Sequence, residues 1–138
     1  MKPLALALLL GLPVIQDAAA AGHRLECPAV APADWGLSRA RLSGVAVLAT
    51  EDGETIDEAA APTLVPDSET MRAGTLHQRW QMNVYGPDSR FYVDCRYRGT
   101  DRVLRLDARQ VKRCEREITH FSRATGESQQ SENRLYCD

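Results

Sequence analysis

Apolar and polar residues alternate along the second half of the chain, which is the pattern of strands that bury one face. In the first such stretch the apolar positions are Trp80, Met82 and Val84. In the second, one face carries Phe91, Val93, Cys95 and Tyr97, and the other carries Tyr92, Asp94, Arg96 and Arg98. Turn residues at 86–89 and 99–101 separate these stretches from a third at 103–106. The pattern predicts a three-stranded antiparallel meander over residues 76–107.

The segment before this meander is less regular. Residues 22–43 contain two prolines and indicate an irregular N-terminal arm, in which Trp35 is expected to pack against the domain. Residues 42–50 are rich in Val, Leu and Ala, and predict a strand. Residues 51–70 are acidic, hold two prolines and lack periodicity, so we expect them to form a long surface loop.

The segment after the meander leaves one assignment open. Residues 107–118 fit either a short helix or a strand, and residues 122–133 predict a polar loop. Residues 135–137 suit a terminal strand. The fold class predicted by these patterns is mainly β: a small single domain, residues 22–138, with an antiparallel meander and at most one short helix.

The N-terminus has the pattern of a cleaved export signal. Lys2 is followed by an uncharged apolar run over residues 4–15, and Ala19 and Ala21 have the spacing that signal peptidase recognises. We therefore expect residues 1–21 to be removed. The apolar run is too short to span a bilayer, and no cysteine lies at the cleavage site to carry a lipid, so no membrane anchor is expected after cleavage.

Four cysteines remain in the exported part: Cys27, Cys95, Cys114 and Cys137. An even number in an exported protein indicates two disulfides, and the sequence is compatible with all three connectivities. The preferred pairing joins Cys95 to Cys114 and Cys27 to Cys137, because the second bridge would tie the two ends together. Wide spacing between the cysteines disfavours a metal site, and no cofactor is expected.

The net charge of −2 conceals an uneven distribution. The expected loop is rich in acids, namely Glu51, Asp52, Glu54, Asp57 and Glu58, whereas Lys112 is the only lysine after the signal and the other cations are arginines. Arginine and tyrosine are frequent at the centres of protein interfaces. Two partner-binding surfaces are therefore predicted: the acidic loop, and the polar strand face with Tyr92, Arg96 and Arg98. Genome composition is an alternative explanation for the high proportion of arginine.

Catalytic motifs are not found in the sequence. The three histidines, His23, His77 and His120, do not lie in a recognisable nucleophile motif, and the cysteines are expected to be oxidised. No phosphate-binding, dinucleotide-binding or zinc-protease motif occurs. The near-neutral charge also disfavours nucleic-acid binding. We expect a protein that is not an enzyme, and the sequence leaves its oligomeric state open.

Several of these residues carry a resemblance to a known family. A Cys-Pro pair at Cys27, Tyr-x-x-Cys-x-Tyr-x-Gly-Thr from Tyr92 to Thr100, and the positions of Cys114 and Cys137 resemble small, uncharacterised proteobacterial periplasmic proteins with four cysteines. Some members of that family lie near type VI secretion genes. The resemblance implies a periplasmic protein of the immunity type, and no catalytic residues are transferred with it.

The sequence thus favours a non-enzymatic periplasmic binding protein, an inhibitor or immunity protein whose partner is another envelope protein, such as a peptidoglycan-active enzyme. Two alternatives remain: an envelope structural or stress protein without a tight partner, and a hydrolase whose motif is not recognised.

Overall fold

The computed structural model describes residues 24–37, 39–51, 62–121 and 130–138. The expected signal at residues 1–21, residues 52–61 of the acidic segment and residues 122–129 lie outside this description. The described residues form eight strands: β1 (Leu25–Glu26), β2 (Leu42–Glu51), β3 (Ser68–Arg72), β4 (Thr75–Gln81), β5 (Ser89–Tyr97), β6 (Val103–Asp107), β7 (Arg113–Phe121) and β8 (Gln130–Cys137). Two short 3₁₀ helices, Ala33–Trp35 and Met82–Val84, complete the described elements. The prediction of a mainly β fold is confirmed.

The strands form two antiparallel sheets. One has five strands in the order β1-β8-β7-β4-β3, and the other has three in the order β2-β5-β6. In the smaller sheet, Val47 lies opposite Val93 and Cys95 opposite Leu104. In the larger sheet, Trp80 lies opposite Cys114, which lies opposite Cys137. Within each sheet, these side chains share one face, and the two faces together form the core.

The core is small and is made mostly of side chains from strand centres. Val47, Val93, Cys95, Cys114 and Cys137 are fully buried. Burying one Val side chain contributes about 1.5–3 kcal/mol relative to leaving it exposed. Trp80 is also buried, and its indole N–H donates to the backbone oxygen of Leu64 at 3.1 Å. This bond satisfies the polar atom of the largest core side chain and positions the chain leading into β3.

The disulfides contradict the preferred pairing. Cys27 is bonded to Cys95, and Cys114 is bonded to Cys137. The second bridge joins directly opposed residues of β7 and β8. The first joins the arm after β1 to the central strand of the other sheet. The prediction was wrong because Cys114 lies directly opposite Cys137 on the neighbouring strand, and sequence spacing does not show this register.

The predicted meander is also wrong in part. β5 and β6 pair as expected, but β4 pairs with β3 and β7 in the other sheet. The alternation that began in β4 does not continue as a strand, because Met82–Val84 forms a 3₁₀ helix that leaves Val84 exposed. This helix turns the chain out of one sheet before Ser89 begins β5 in the other.

The secondary structure of the remaining segments agrees with the predictions in part. The strand predicted at 42–50 is confirmed as β2. The end of the predicted acidic loop is instead strand β3, from Ser68, and residues 113–121 are a strand rather than a helix. The predicted polar loop at 122–133 is wrong from Gln130 onward, where β8 begins.

We expect the two disulfides to stabilise the fold unequally. Cys27–Cys95 closes a span of 68 residues and Cys114–Cys137 one of 23. By loop-closure entropy, a Cys27→Ser/Cys95→Ser variant should lose about 4 kcal/mol of unfolding free energy, and Cys114→Ser/Cys137→Ser about 3 kcal/mol. Urea denaturation measures both losses. Recovery of a Cys95–Cys114 peptide after digestion without reduction would contradict this account.

Candidate partner-binding surface

One end of the three-stranded sheet carries a group of arginines on its solvent side. Arg96 is exposed on β5 opposite Gly44, and its side chain lies over this glycine: a β-carbon at Gly44 would be 3.8 Å from Arg96 Cβ. The next residue after β5 is Arg98 in the following turn, whose backbone N–H donates to the oxygen of Arg41 at 3.1 Å. Antiparallel pairing of β2 and β5 thus brings Arg41 beside Arg98.

An aromatic pair supports this end of the sheet. The buried Tyr97 meets Trp35 edge to face, with ring centroids 5.8 Å apart, and its hydroxyl donates to the oxygen of Pro28 at 3.0 Å. Burial raises the pKa of the Tyr97 phenol. The guanidinium of Arg102 lies 4.4 Å from the centroid of the Trp35 ring, within cation–π range. Trp35 therefore packs on the domain, as expected, and holds one arginine in place.

We call Arg41, Arg96, Arg98 and Arg102 the arginine surface. Arg41 lies 3.5 Å from Glu132, but both side chains are more than half exposed and such a pair contributes little. Within the described parts of the chain, the guanidinium groups of Arg96 and Arg98 contact no carboxylate. The surface therefore presents cationic, hydrogen-bonding groups at one end of the three-stranded sheet.

Farther along the same sheet face, an acidic and a basic side chain neutralise each other. Asp94 is buried, and Arg105 binds it through two parallel bonds, Nε to Oδ1 at 2.7 Å and Nη2 to Oδ2 at 2.8 Å. Bidentate pairing of this kind fixes both side chains. Tyr92 is half-buried farther along β5, opposite Leu48. Of the three predicted residues on this face, Arg96 and Arg98 lie together and Tyr92 lies apart from them.

Glu51, the one acid of the predicted acidic surface that the structure describes, lies at the opposite end of the sheet. Glu51 ends β2 opposite Ser89, whereas Gly44 and Arg96 face each other at the other end. Seven strand residues separate these positions, or about 23 Å at ~3.3 Å per residue. The other predicted acids, Asp52, Glu54, Asp57 and Glu58, lie outside the described residues. Among the predicted acids, Glu51 is therefore separated from Arg96 along the sheet.

The outer face of the five-stranded sheet is also polar and contains a cluster of charged side chains that bond to one another. Glu115 accepts from Arg79 Nε at 3.0 Å and from the Tyr136 hydroxyl at 2.6 Å. The Tyr136 bond is the main cause that lowers the pKa of Glu115, and the same bond raises the pKa of Tyr136 to about 12. These bonds hold Arg79, Glu115 and Tyr136 against one another.

Of the three histidines, the structure describes the side chain of one. His77 Nδ1 lies 3.6 Å from Glu117 Oε1 on the outer sheet face. His23 and the side chain of His120 lie outside the description. Across the described ranges, no group of His, Cys, Asp or Glu is arranged to hold a metal ion. In the same part of the chain, no helix is long and apolar enough to span a membrane.

Comparison with known proteins gives one match. A family model described as type VI secretion system Tli immunity protein matches residues 37–138. No curated protein matches the chain, and no solved structure matches it. The matched range includes both sheets except β1, and all four arginines of the arginine surface.

We expect the free energy of unfolding to fall at alkaline pH as Tyr136 loses its proton. The folded state keeps the Tyr136 proton up to a pKa of about 12, whereas the unfolded state releases it near the ordinary tyrosine value of ~10. This stabilisation is complete below ~10 and is lost as the pH rises towards 12. Urea denaturation between pH 9 and 12 should show a shallower decline for Tyr136→Phe than for the wild type. Tyr85→Phe, at an exposed tyrosine, is the control; an equal decline in wild type and Tyr136→Phe would contradict the assignment.

Proposed function

The chain belongs to the type VI secretion system Tli immunity protein family, and we propose that it protects the producing cell by binding an effector in the periplasm. The family match over residues 37–138 carries this proposal. An immunity protein acts by occupying its target and needs no catalytic groups of its own. The match favours this function over the structural-protein and hydrolase alternatives.

The arginine surface is our proposed contact with the effector. Guanidinium groups bind carboxylates through paired hydrogen bonds and are less strongly hydrated than ammonium groups, so they suit interfaces. Trp35 contacts Arg102 at the same end of the sheet, and aromatic residues with arginine are the types most often found where binding energy concentrates. The effector side of the interface is therefore expected to be acidic.

The proposed location follows from covalent chemistry. Both disulfides require an oxidising compartment, and the N-terminal sequence has the features of an export signal. In this proposal, residues 1–21 are cleaved and the domain meets the effector outside the cytoplasm. The effector is accordingly one that acts on the cell envelope.

We expect the Arg96→Ala/Arg98→Ala variant to bind the type VI effector of the same strain at least 30-fold more weakly than the wild type. Loss of a central interface residue costs ~2 kcal/mol or more, which corresponds to a factor of about 30. Calorimetric titration of the protein purified from the periplasm measures the affinity. Arg72→Ala is the matched control, because Arg72 is exposed on the edge strand of the other sheet.

The same titration tests the acidic surface. Neutralising Glu51, Asp52, Glu54, Asp57 and Glu58 together should weaken binding only if that segment also contacts the effector. Wild-type affinity in the Arg96→Ala/Arg98→Ala variant would show that the arginine surface does not contact the effector. Absence of any wild-type binding, together with no protection of cells exposed to the effector, would overturn the proposed function.

A further inference from the structure

A charged side chain lies on the inward side of the five-stranded sheet. Arg116 alternates with Cys114 and Ile118 on β7, so it shares their face rather than the solvent face of Glu115 and Glu117. It is only partly exposed. A charge in this position is costly to desolvate unless an opposite charge or full hydrogen bonding compensates for it.

The groups around Arg116 are neutral. Its Nε and Nη2 both donate to Asn133 Oδ1, the first at 3.0 Å, and Nη1 donates to Gln78 Oε1 at 3.4 Å. A guanidinium has five N–H groups, so two remain without an acceptor among the described residues. Desolvation lowers the pKa of Arg116, and no carboxylate of the described chain touches it.

An acidic side chain, Glu69, contacts a residue that contacts Arg116. Gln78 Nε2 donates to Glu69 Oε1 at 2.8 Å, while the other end of the same amide accepts from Arg116. Gln78 therefore separates the two charges, and Glu69 lies exposed on the edge strand β3. Among the described residues, the guanidinium of Arg116 therefore contacts neutral acceptors and no carboxylate.

A chain of hydrogen bonds connects Arg116 with the backbone of Arg96. Asn133, which accepts from Arg116, donates through Nδ2 to the backbone oxygen of Ser43 at 3.4 Å. Ser43 in turn donates through its hydroxyl to the backbone oxygen of Arg96 at 3.2 Å. Two residues thus link Arg116 to the centre of the proposed interface.

We propose that Arg116 is a carboxylate-binding site that receives an Asp or Glu side chain of the effector. This inference rests on the proposed function. The guanidinium offers its remaining N–H groups, and Asn133 and Gln78 hold it in a fixed orientation. A carboxylate there would gain charge-assisted bonds in a poorly solvated setting and would neutralise the arginine.

The Glu69→Gln/Gln78→Glu variant tests this site. The exchange keeps net charge and composition but moves the acid of this chain into contact with Arg116, where it competes with the acid of the effector. We expect unchanged or higher thermal stability and about tenfold weaker effector binding, the factor expected for loss of a hydrogen bond to a charged group. Glu69→Gln alone is the control and should bind as the wild type does. Wild-type affinity in the exchanged variant would overturn the proposal.

A second measurement does not need the effector. In the wild type, the NMR signal of the Arg116 Nε–H should shift with millimolar acetate, relative to chloride at equal ionic strength, and it should shift less in the exchanged variant. No shift in the wild type would overturn the carboxylate site, whether or not the effector binds. Absence of effector binding combined with an acetate shift would instead overturn the proposed function and leave the site standing.

Discussion

The bond between Cys27 and Cys95 is the constraint on which the arrangement of this protein depends. It joins the arm that follows β1, at the edge of the five-stranded sheet, to the central strand of the three-stranded sheet. The hydrogen bond from Tyr97 to Pro28 and the packing of Trp35 on Tyr97 continue the same connection. The arm is therefore fixed across the end of the sheet where the arginine surface lies. Such a surface loses less conformational entropy on binding than one carried by a mobile segment.

Alternation along the chain was enough to predict the fold class and the buried face of β5, but it did not reveal which strands are neighbours. A strand such as β4 has the same pattern whether it pairs with β5 or with β7, since the period reports only burial of one side. The same limit explains the wrong disulfide pairing. Cys114 and Cys137 oppose each other only because β7 and β8 are adjacent, and their separation along the chain contains no sign of it.

The candidate site was predictable in part for the same reason. Arg96 was found because it alternates with buried residues of a clear strand, and Arg98 because it follows directly. Arg41 precedes a different strand, and only the register of β2 with β5 brings it to Arg98. Arg116 lies in the segment whose sequence fitted a helix and a strand equally well. The sequence therefore did not predict that its side chain lies on the inward face of a sheet. Its role emerges only from the contacts with Asn133 and Gln78.

Hydrogen exchange of the complex with the effector tests the central claim most directly. If the effector binds the arginine surface, backbone amides at 39–42 and 96–103 should exchange more slowly in the complex than in the free protein. Amides in the turn at 108–112, between β6 and β7, should be unaffected. Protection confined to that turn, with 39–42 and 96–103 exchanging as in the free protein, would contradict the account.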